Sequence, residues 1–151
     1  MKILSWFSVI VTVLIVGFVV NENYKLYRDI ESVAHRAQVA ADAEDMLHYM
    51  KTFKTNMELH RITTGYSALI FKQPSNDLFL LYASVNNIIS RLEQVKDLPK
   101  SDTAYQVALD DLRGTIRELE EPTLGVIWTR YWVLYLFWIW PLVHLFRFDF
   151  F

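Results

Sequence analysis

The segment from Met46 to His60, MLHYMKTFKTNMELH, concentrates the thioether and imidazole side chains of the chain. On a helix, Met46, Met50, Met57 and His60 share one face, and this ligand chemistry suits Cu(I). Methionines at heptad spacing are also ordinary core residues. Because these four side chains are spread along roughly 20 Å of one straight helix, at ~1.5 Å per residue, they do not all reach one ion. The sequence therefore predicts core packing and no metal site.

A second candidate is His144, an ionisable group well inside an apolar C-terminal segment that also contains Trp138 and Trp140. An imidazole nitrogen there can ligate haem or chlorophyll magnesium, or form a hydrogen bond to a neighbouring helix. The plainer interpretation is a histidine that faces a partner or the membrane interface. We therefore predict that Trp138, Trp140 and His144 bind a partner and that the chain holds no cofactor, with a pigment or haem on His144 as the alternative.

The carboxylate pairs favour solvated surfaces over acid/base catalysis. Asp110 and Asp111, like Glu120 and Glu121, are adjacent on predicted helices, where neighbouring positions face apart. The chain has no cysteine, only four glycines, and no G-x-S-x-G turn that would position a nucleophile. We expect that the protein is not an enzyme.

The charge balance argues against nucleic acid as a partner. Residues 21–122 contain 12 Lys plus Arg against 16 Asp plus Glu, a net charge of −4. Binding to phosphates requires clustered basic residues that displace counterions, and no such cluster is present in this stretch.

Two apolar segments predict membrane anchors at the two ends of the chain. Residues 3–20 are uncharged and, at ~1.5 Å per residue, reach roughly 27 Å, close to the ~30 Å bilayer core. No A-x-A-like site follows, which favours a retained signal anchor. Residues 125–146 form a second segment, rich in tryptophan and kinked at Pro141. The predicted organisation is an anchor at 1–21, a helical domain at 22–122, an aromatic span at 123–147 and a tail at 148–151.

Two spans place both termini on one side of the membrane. Lys2 and Arg147 flank the spans, and basic flanks favour the cytoplasm. We therefore predict cytoplasmic termini and an extracytoplasmic middle domain.

Three proline-containing segments, near Pro74, Pro99 and Pro122, delimit two predicted helices in the middle domain. Ser75 or Asn76, and Ser101 or Asp102, are suitable N-caps. Both helices carry apolar residues at spacings of three and four, which indicates helix packed on helix. The predicted packing seam consists of Leu78, Leu81, Val85, Ile88 and Leu92 on the first helix and Tyr105, Leu109, Leu112, Ile116 and Leu119 on the second.

The stretch from Asn21 to Lys72 leaves two alternatives. One apolar stripe ends at Ala40 and another begins at Met46, with the polar residues 42–45 at the join. If the chain turns there, four helices of about 20 to 28 residues form an up-down-up-down bundle. If it does not, one helix of roughly 50 residues, about 75 Å long, projects as a stalk. In both cases we expect the second stripe to continue as helix through Leu59, Ile62, Tyr66 and Leu69.

The predicted fold is an all-α membrane protein in which two transmembrane helices flank an extracytoplasmic helical bundle or helical hairpin stalk. The layout resembles the four-helix sensing domains of chemoreceptors, which also lie between two spans; no motif accompanies the likeness. The leading functional hypothesis is a non-catalytic accessory or scaffolding subunit that binds integral membrane partners and the lipid bilayer. The alternatives are a sensing bundle that signals to a separate partner and a pigment- or haem-holding subunit. A second copy of the chain is a further candidate partner, which would make the protein a homo-oligomer.

Overall fold

In the computed structural model, which describes residues 2–119, 123–136 and 139, every regular element is helical. A π-helical turn, Tyr27–Glu31, joins the first two helices, a 3₁₀ turn spans Pro74–Asn76, and helical backbone resumes at 132–136. The helices are α1 Lys2–Leu26, α2 Ser32–Gln38, α3 Ala43–Leu59, α4 Leu78–Val95, α5 Thr103–Arg117 and α6 Thr123–Arg130.

Residues 2–38 form one continuous helical rod composed of α1, the π-helical turn and α2. The rod contains a stretch near the N-terminus that is long and apolar enough to cross a membrane. Large apolar side chains such as Trp6, Phe7 and Leu14 are exposed along it. Within the described residues no second helix meets the same criterion. Much of the predicted second span, including Trp138, Trp140 and His144, lies outside the described residues.

The chain reverses direction at residues 39–42, so residues 22–72 do not form one long helix. Asp42 is extended and caps α3, because its Oδ1 accepts hydrogen bonds from the backbone N–H groups of Glu44 (3.1 Å) and Asp45 (3.0 Å). Its Oδ2 accepts from Lys100 Nζ at 2.6 Å, which ties this turn to the turn between α4 and α5. The polar residues at the join between the two apolar stripes therefore start a new helix.

Helices α2, α3, α4 and α5 form an antiparallel four-helix bundle, in which α2 and α4 each pack against both α3 and α5. The packing face of each helix is apolar. Tyr105 is buried among these residues, and its hydroxyl accepts a hydrogen bond from Ala43 N at 2.9 Å. The fully buried large side chains include Ile30, Met46, Met50, Met57, Ile88, Leu92, Tyr105, Leu109, Leu112 and Ile116.

Helix α3 ends at Leu59, so the predicted continuation of the helix through Ile62, Tyr66 and Leu69 is wrong. Arg61 adopts a left-handed conformation (φ 56°). Its N–H donates to the carbonyl of Glu58 (3.0 Å), and Ile62 N–H donates to the carbonyl of Met57 (2.7 Å). This pair of bonds is a Schellman closure, completed by the burial of Ile62 beyond the helix end. Residues 60–77 are a loop, and the bundle helices are shorter than predicted.

The N-cap of α4 also differs from the prediction. Asp77 caps this helix by accepting from Phe79 N at 2.9 Å, whereas the Asn76 side chain binds backbone groups of the preceding loop. Asp102 caps α5 through Ala104 N at 2.9 Å, as predicted.

Removing the cap of α3 should destabilise the bundle, and the effect should depend on pH. Hydrogen bonding from Asp45 N and Lys100 keeps the pKa of Asp42 below its usual value. Because this pKa is lower in the folded state, the ionised Asp42 carboxylate contributes fully to the free energy of unfolding above the unfolded carboxyl pKa of about 3.9. Its contribution is lost as pH falls through the folded-state pKa. Asp42→Ala should therefore cost about 1 kcal/mol of unfolding free energy at pH 7.

Chemical denaturation of the detergent-solubilised chain, followed by circular dichroism, measures this difference at pH 7 and again below pH 4. Asp42→Asn is the matched control, because its amide oxygen preserves the cap and should retain more stability than Ala. If the difference in unfolding free energy between Asp42→Ala and wild type were the same below pH 4 as at pH 7, the ionised carboxylate would not be the group that stabilises the helix.

Candidate functional site at the junction of anchor and bundle

The π-helical turn lies where the exposed part of the rod enters the bundle. Trp6, Phe7 and Leu14 are exposed before it, whereas Leu26, at its start, and Ile30, within it, are buried. Single π-helical turns are rare inside α-helices and occur frequently at functional sites. This turn connects the candidate membrane span to the folded domain.

Asp29 fixes the π-helical turn to the C-terminal end of α3. Its backbone carbonyl accepts a hydrogen bond from Asn56 Nδ2 at 2.6 Å. Its carboxylate accepts from Arg28 Nε at 2.7 Å and lies 3.0 Å from His60 Nε2. An ionised carboxylate can only accept, so Nε2 carries the proton in this contact. Asn56 in the last turn of α3 thus contacts the main chain of Asp29, and His60, the C-cap of α3, contacts its side chain.

Helix α6 joins the same cluster from the other end of the chain. Arg130 donates to the carbonyl of His60 at 2.6 Å. The Tyr131 hydroxyl donates to Glu22 Oε2 at 3.3 Å, while Lys25 Nζ donates to Glu22 Oε1 at 2.8 Å. We call this set the junction network; its members are Glu22, Lys25, Arg28, Asp29, Asn56, His60, Arg130 and Tyr131.

Apolar contacts reinforce the junction network. The rings of Phe18 and Tyr131 meet edge to face with centroids 5.1 Å apart. Val126 and Ile127 of α6 are buried, and Val19 of α1 packs against the core. The junction network therefore holds three segments together: the end of α1 with the π-helical turn, the end of α3, and α6. Chemically, it is a set of hydrogen bonds that involve two carboxylates, those of Glu22 and Asp29, and three basic side chains, and it can fix the orientation of the bundle relative to α1.

The residues of the hypothetical copper set take separate roles. Met46, Met50 and Met57 are fully buried in the bundle core, whereas the His60 ring contacts Asp29 at the junction. His48 is exposed, with its ring 5.6 Å from that of Tyr49. Among the described residues, no three His, Cys, Asp or Glu side chains come together as a metal-ligand group.

The structure places the predicted packing seam in the bundle core. Leu81 and Leu119 are partly buried at its edges. The remaining members are buried, namely Leu78, Val85, Ile88, Leu92, Tyr105, Leu109, Leu112 and Ile116.

The two members of the carboxylate pair on α5 face different partners. Asp110 pairs with Arg113 on the same helix at 2.9 Å, and Asp111 pairs with Arg91 of α4. Glu120 and Glu121 lie outside the described residues. The ion pairs of Asp110 and Asp111 therefore stabilise the surface of one helix and the contact between two helices.

The aromatic start of the predicted second span is described without a gap from residue 123 to residue 136. Trp128 stacks on Tyr135, with ring centroids 4.0 Å apart and planes inclined by 19°. Trp128 and Trp132 are exposed. Trp138, Trp140 and His144, the predicted partner-binding residues, lie outside the described part, and their roles stay predictions.

Sequence reasoning missed Asp29, Asn56, Arg130 and Tyr131 as members of a site. The contacts between Asp29 and Asn56 and between Tyr131 and Glu22 join residues 27 and 109 positions apart. The spacing of residues within one helix gives no information about contacts between residues so far apart in the sequence. The sequence does show Glu22 after the first apolar segment and Arg130 near the start of the second, but polar residues at these places are also ordinary flanks of a membrane span.

Comparison with protein-family models, with curated proteins and with solved structures gave no match.

Proposed function

We propose that this protein is a non-catalytic accessory or scaffolding subunit of a larger integral membrane complex. It holds a four-helix bundle in a fixed orientation at the bilayer and binds its partner through its membrane segments and the bundle. The observation that carries the proposal is the junction network at the base of the bundle, in which Asp29 contacts the end of α3 and Glu22 contacts Tyr131, the residue directly after α6. Such a clamp suits a scaffold that must present a surface in a defined direction.

The exposed surface of the membrane segments supports the same function. Along α1, Trp6, Phe7 and Leu14 face outward, and Trp128 and Trp132 do so after the bundle. Aliphatic side chains can be surrounded by lipid tails alone, because they form no hydrogen bonds. An indole N–H group that lies below the lipid headgroups needs a hydrogen-bond acceptor, which lipid tails do not offer. A partner helix supplies such acceptors. Sequence position adds Trp138, Trp140 and His144 to the proposed partner-binding surface.

A sensing module is the second candidate, and the π-helical turn favours it. A continuous helix from span to bundle can carry a displacement between the two, and a π-helical turn is a point where helical register changes. Purification in mild detergent separates the alternatives: a stoichiometric complex with an integral membrane protein supports the scaffold, and a solitary dimer supports the sensor. Visible absorbance would instead support a pigment or haem on His144.

The proposal includes an orientation, with both termini cytoplasmic and residues 22–122 outside. A cysteine placed at Ser101, at the exposed far end of the bundle, should react with a membrane-impermeant thiol reagent in intact cells. A cysteine placed at Asp149 should react only after permeabilisation. The chain has no native cysteine, so each label reports one position. Labelling at position 149 alone in intact cells would show that the orientation is the reverse of the proposed one. Labelling at both positions would show that one of the two proposed spans does not cross the membrane.

A further inference from the structure

The loop between α3 and α4 lies at the end of the bundle from which α1 emerges. Helix α2 continues the rod away from α1, and α3 packs antiparallel against it, so residues 60–77 return to the base of the bundle. The turns at 39–42 and 96–102 lie together at the opposite end, where Lys100 pairs with Asp42. The contact between His60 and Asp29 marks the base.

The loop has a defined shape. Ser67 N donates to the carbonyl of Asn76 (2.9 Å), and Leu78 N donates to the carbonyl of Gly65 (3.0 Å), which closes residues 68–75 into a tip. Inside the tip, Asn76 Nδ2 donates to the carbonyl of Phe71 at 2.7 Å and Asn76 Oδ1 accepts from Gln73 N at 3.1 Å. The positive φ of Gly65 (93°) suits glycine at the start of this closure.

This closed tip presents consecutive apolar side chains to the outside. Leu69, Ile70 and Phe71 are 49%, 81% and 75% exposed. At the start of α4, Phe79 and Leu80 are also exposed. Exposed runs of three or more apolar residues are unfavourable in water and usually mark a binding surface.

The position of α6 places the tip close to the membrane segments. A Cβ built on Gly125 would lie 2.1 Å from the carbonyl oxygen of Ser67, so α6 and the loop are in backbone contact. Three residues later Trp128 is exposed, and Tyr131 reaches Glu22 at the end of the apolar stretch of α1. The tip, the start of α6 and the end of the apolar rod thus share one end of the molecule.

The charges around the tip suit a lipid headgroup layer. Lys72 directly follows the three apolar residues, and its Nζ lies 5.2 Å from the centroid of the Tyr66 ring. Residues 60–77 contain Arg61 and Lys72 against Asp77, so the loop has a net charge of +1, whereas residues 21–122 as a whole have a net charge of −4. Long basic side chains beside apolar ones are typical of segments that lie in the membrane interface, where the ammonium group meets phosphate.

We infer that the Leu69–Phe71 tip inserts into the interfacial layer of the bilayer and forms a second membrane contact besides α1. The inference rests on α1 being the membrane anchor of the proposed function. A second contact, set to one side of the rod, restricts tilting of the bundle and fixes its rotation about the membrane normal. The surface that a membrane partner meets is thereby defined.

Single cysteines carrying the fluorophore NBD test this inference in the full chain, reconstituted into vesicles of phosphatidylcholine and phosphatidylglycerol. NBD at Ile70→Cys should emit at shorter wavelength than NBD at Val39→Cys, an apolar position at the far end that is 82% exposed. Lipids with a nitroxide near the headgroup should quench the label at position 70 at least twofold and leave position 39 unchanged. Equal quenching at positions 70 and 39 would overturn the inference.

A third label separates this result from failure of the anchor itself. NBD at Val13→Cys, on the exposed apolar surface of α1, should be quenched by lipids with a nitroxide deep in the acyl chain. If the label at position 13 is quenched and the label at position 70 is not, α1 is a membrane anchor and the tip inference is wrong. If neither label is quenched, both the tip inference and the assignment of α1 as the anchor are wrong. A short-wavelength emission at 70 that nitroxide lipids do not quench places the tip against protein, which also overturns the inference.

Discussion

Val85→Asp and Leu112→Asp should each unfold the four-helix bundle or leave it barely stable. Both side chains are fully buried, with 0% exposure, on the facing helices α4 and α5. A carboxylate there has no cationic partner and must be buried unpaired or remain protonated, at a cost of several kcal/mol. A small domain has a total stability of about 5–15 kcal/mol, so this loss removes a large share of it.

Glu93→Ala and Asp111→Ala are the matched controls on the same two helices. Their carboxylates are exposed and pair with Lys51 and Arg91. Exposed ion pairs are screened by solvent and contribute little to stability, so both variants should remain folded. Denaturant unfolding of the detergent-solubilised chain, with limited proteolysis as a second readout, compares all four. Equal stability across the set would mean that the apolar seams are not packing surfaces.

Gly125→Ala should displace α6 from the α3–α4 loop. A Cβ at this position would lie 2.1 Å from the carbonyl oxygen of Ser67 and 3.0 Å from its carbonyl carbon, and backbone atoms cannot move aside as a flexible side chain does. Overpacking of this kind typically costs about 1–3 kcal/mol. We expect lower stability together with faster proteolysis of residues 60–77.

Gly114→Ala is the control, and we expect it to change the stability in the opposite direction. This glycine lies on the exposed side of α5, and a Cβ there meets no atom within 4 Å. Alanine in a helix interior is favoured over glycine by about 1 kcal/mol, so this variant should gain stability. If Gly125→Ala left the unfolding midpoint unchanged or raised it, as we expect for Gly114→Ala, the close contact between α6 and the loop would be wrong.

The helices α4 and α5 were predictable because their signals are local. Pro74, Pro99 and Pro122 bracket them, and the apolar residues repeat at three and four positions. The turn after α2 was predictable as one of two alternatives, since Asp42 is a strong N-cap residue. In each case the information lies within one or two helical turns of the element.

The loop after α3 could not be predicted in the same way. Ile62, Tyr66 and Leu69 continue a helical apolar spacing, and the residue that stops the helix is Arg61, which carries no glycine-like signal for a positive φ. Burial of Ile62 beyond the helix end, a tertiary effect, selects this closure.

The junction network could not be predicted from the sequence either, because Asp29, Asn56 and Arg130 come into one cluster only when the bundle has folded. Its hydrogen bonds join separate helices and the two ends of the chain. The local sequence around each residue is typical of an ordinary helix surface. Such a network is found from the fold, after the helices are placed.

Native mass spectrometry of the protein, purified in mild detergent from the membrane in which it is made, tests the proposed function most directly. We expect one stoichiometric complex with an integral membrane protein. We further expect that combining Trp138→Leu, Trp140→Leu and His144→Leu releases the partner while the chain still inserts into the membrane. A chain that appears only alone or with copies of itself, in wild type and triple variant alike, would contradict the assignment as an accessory subunit.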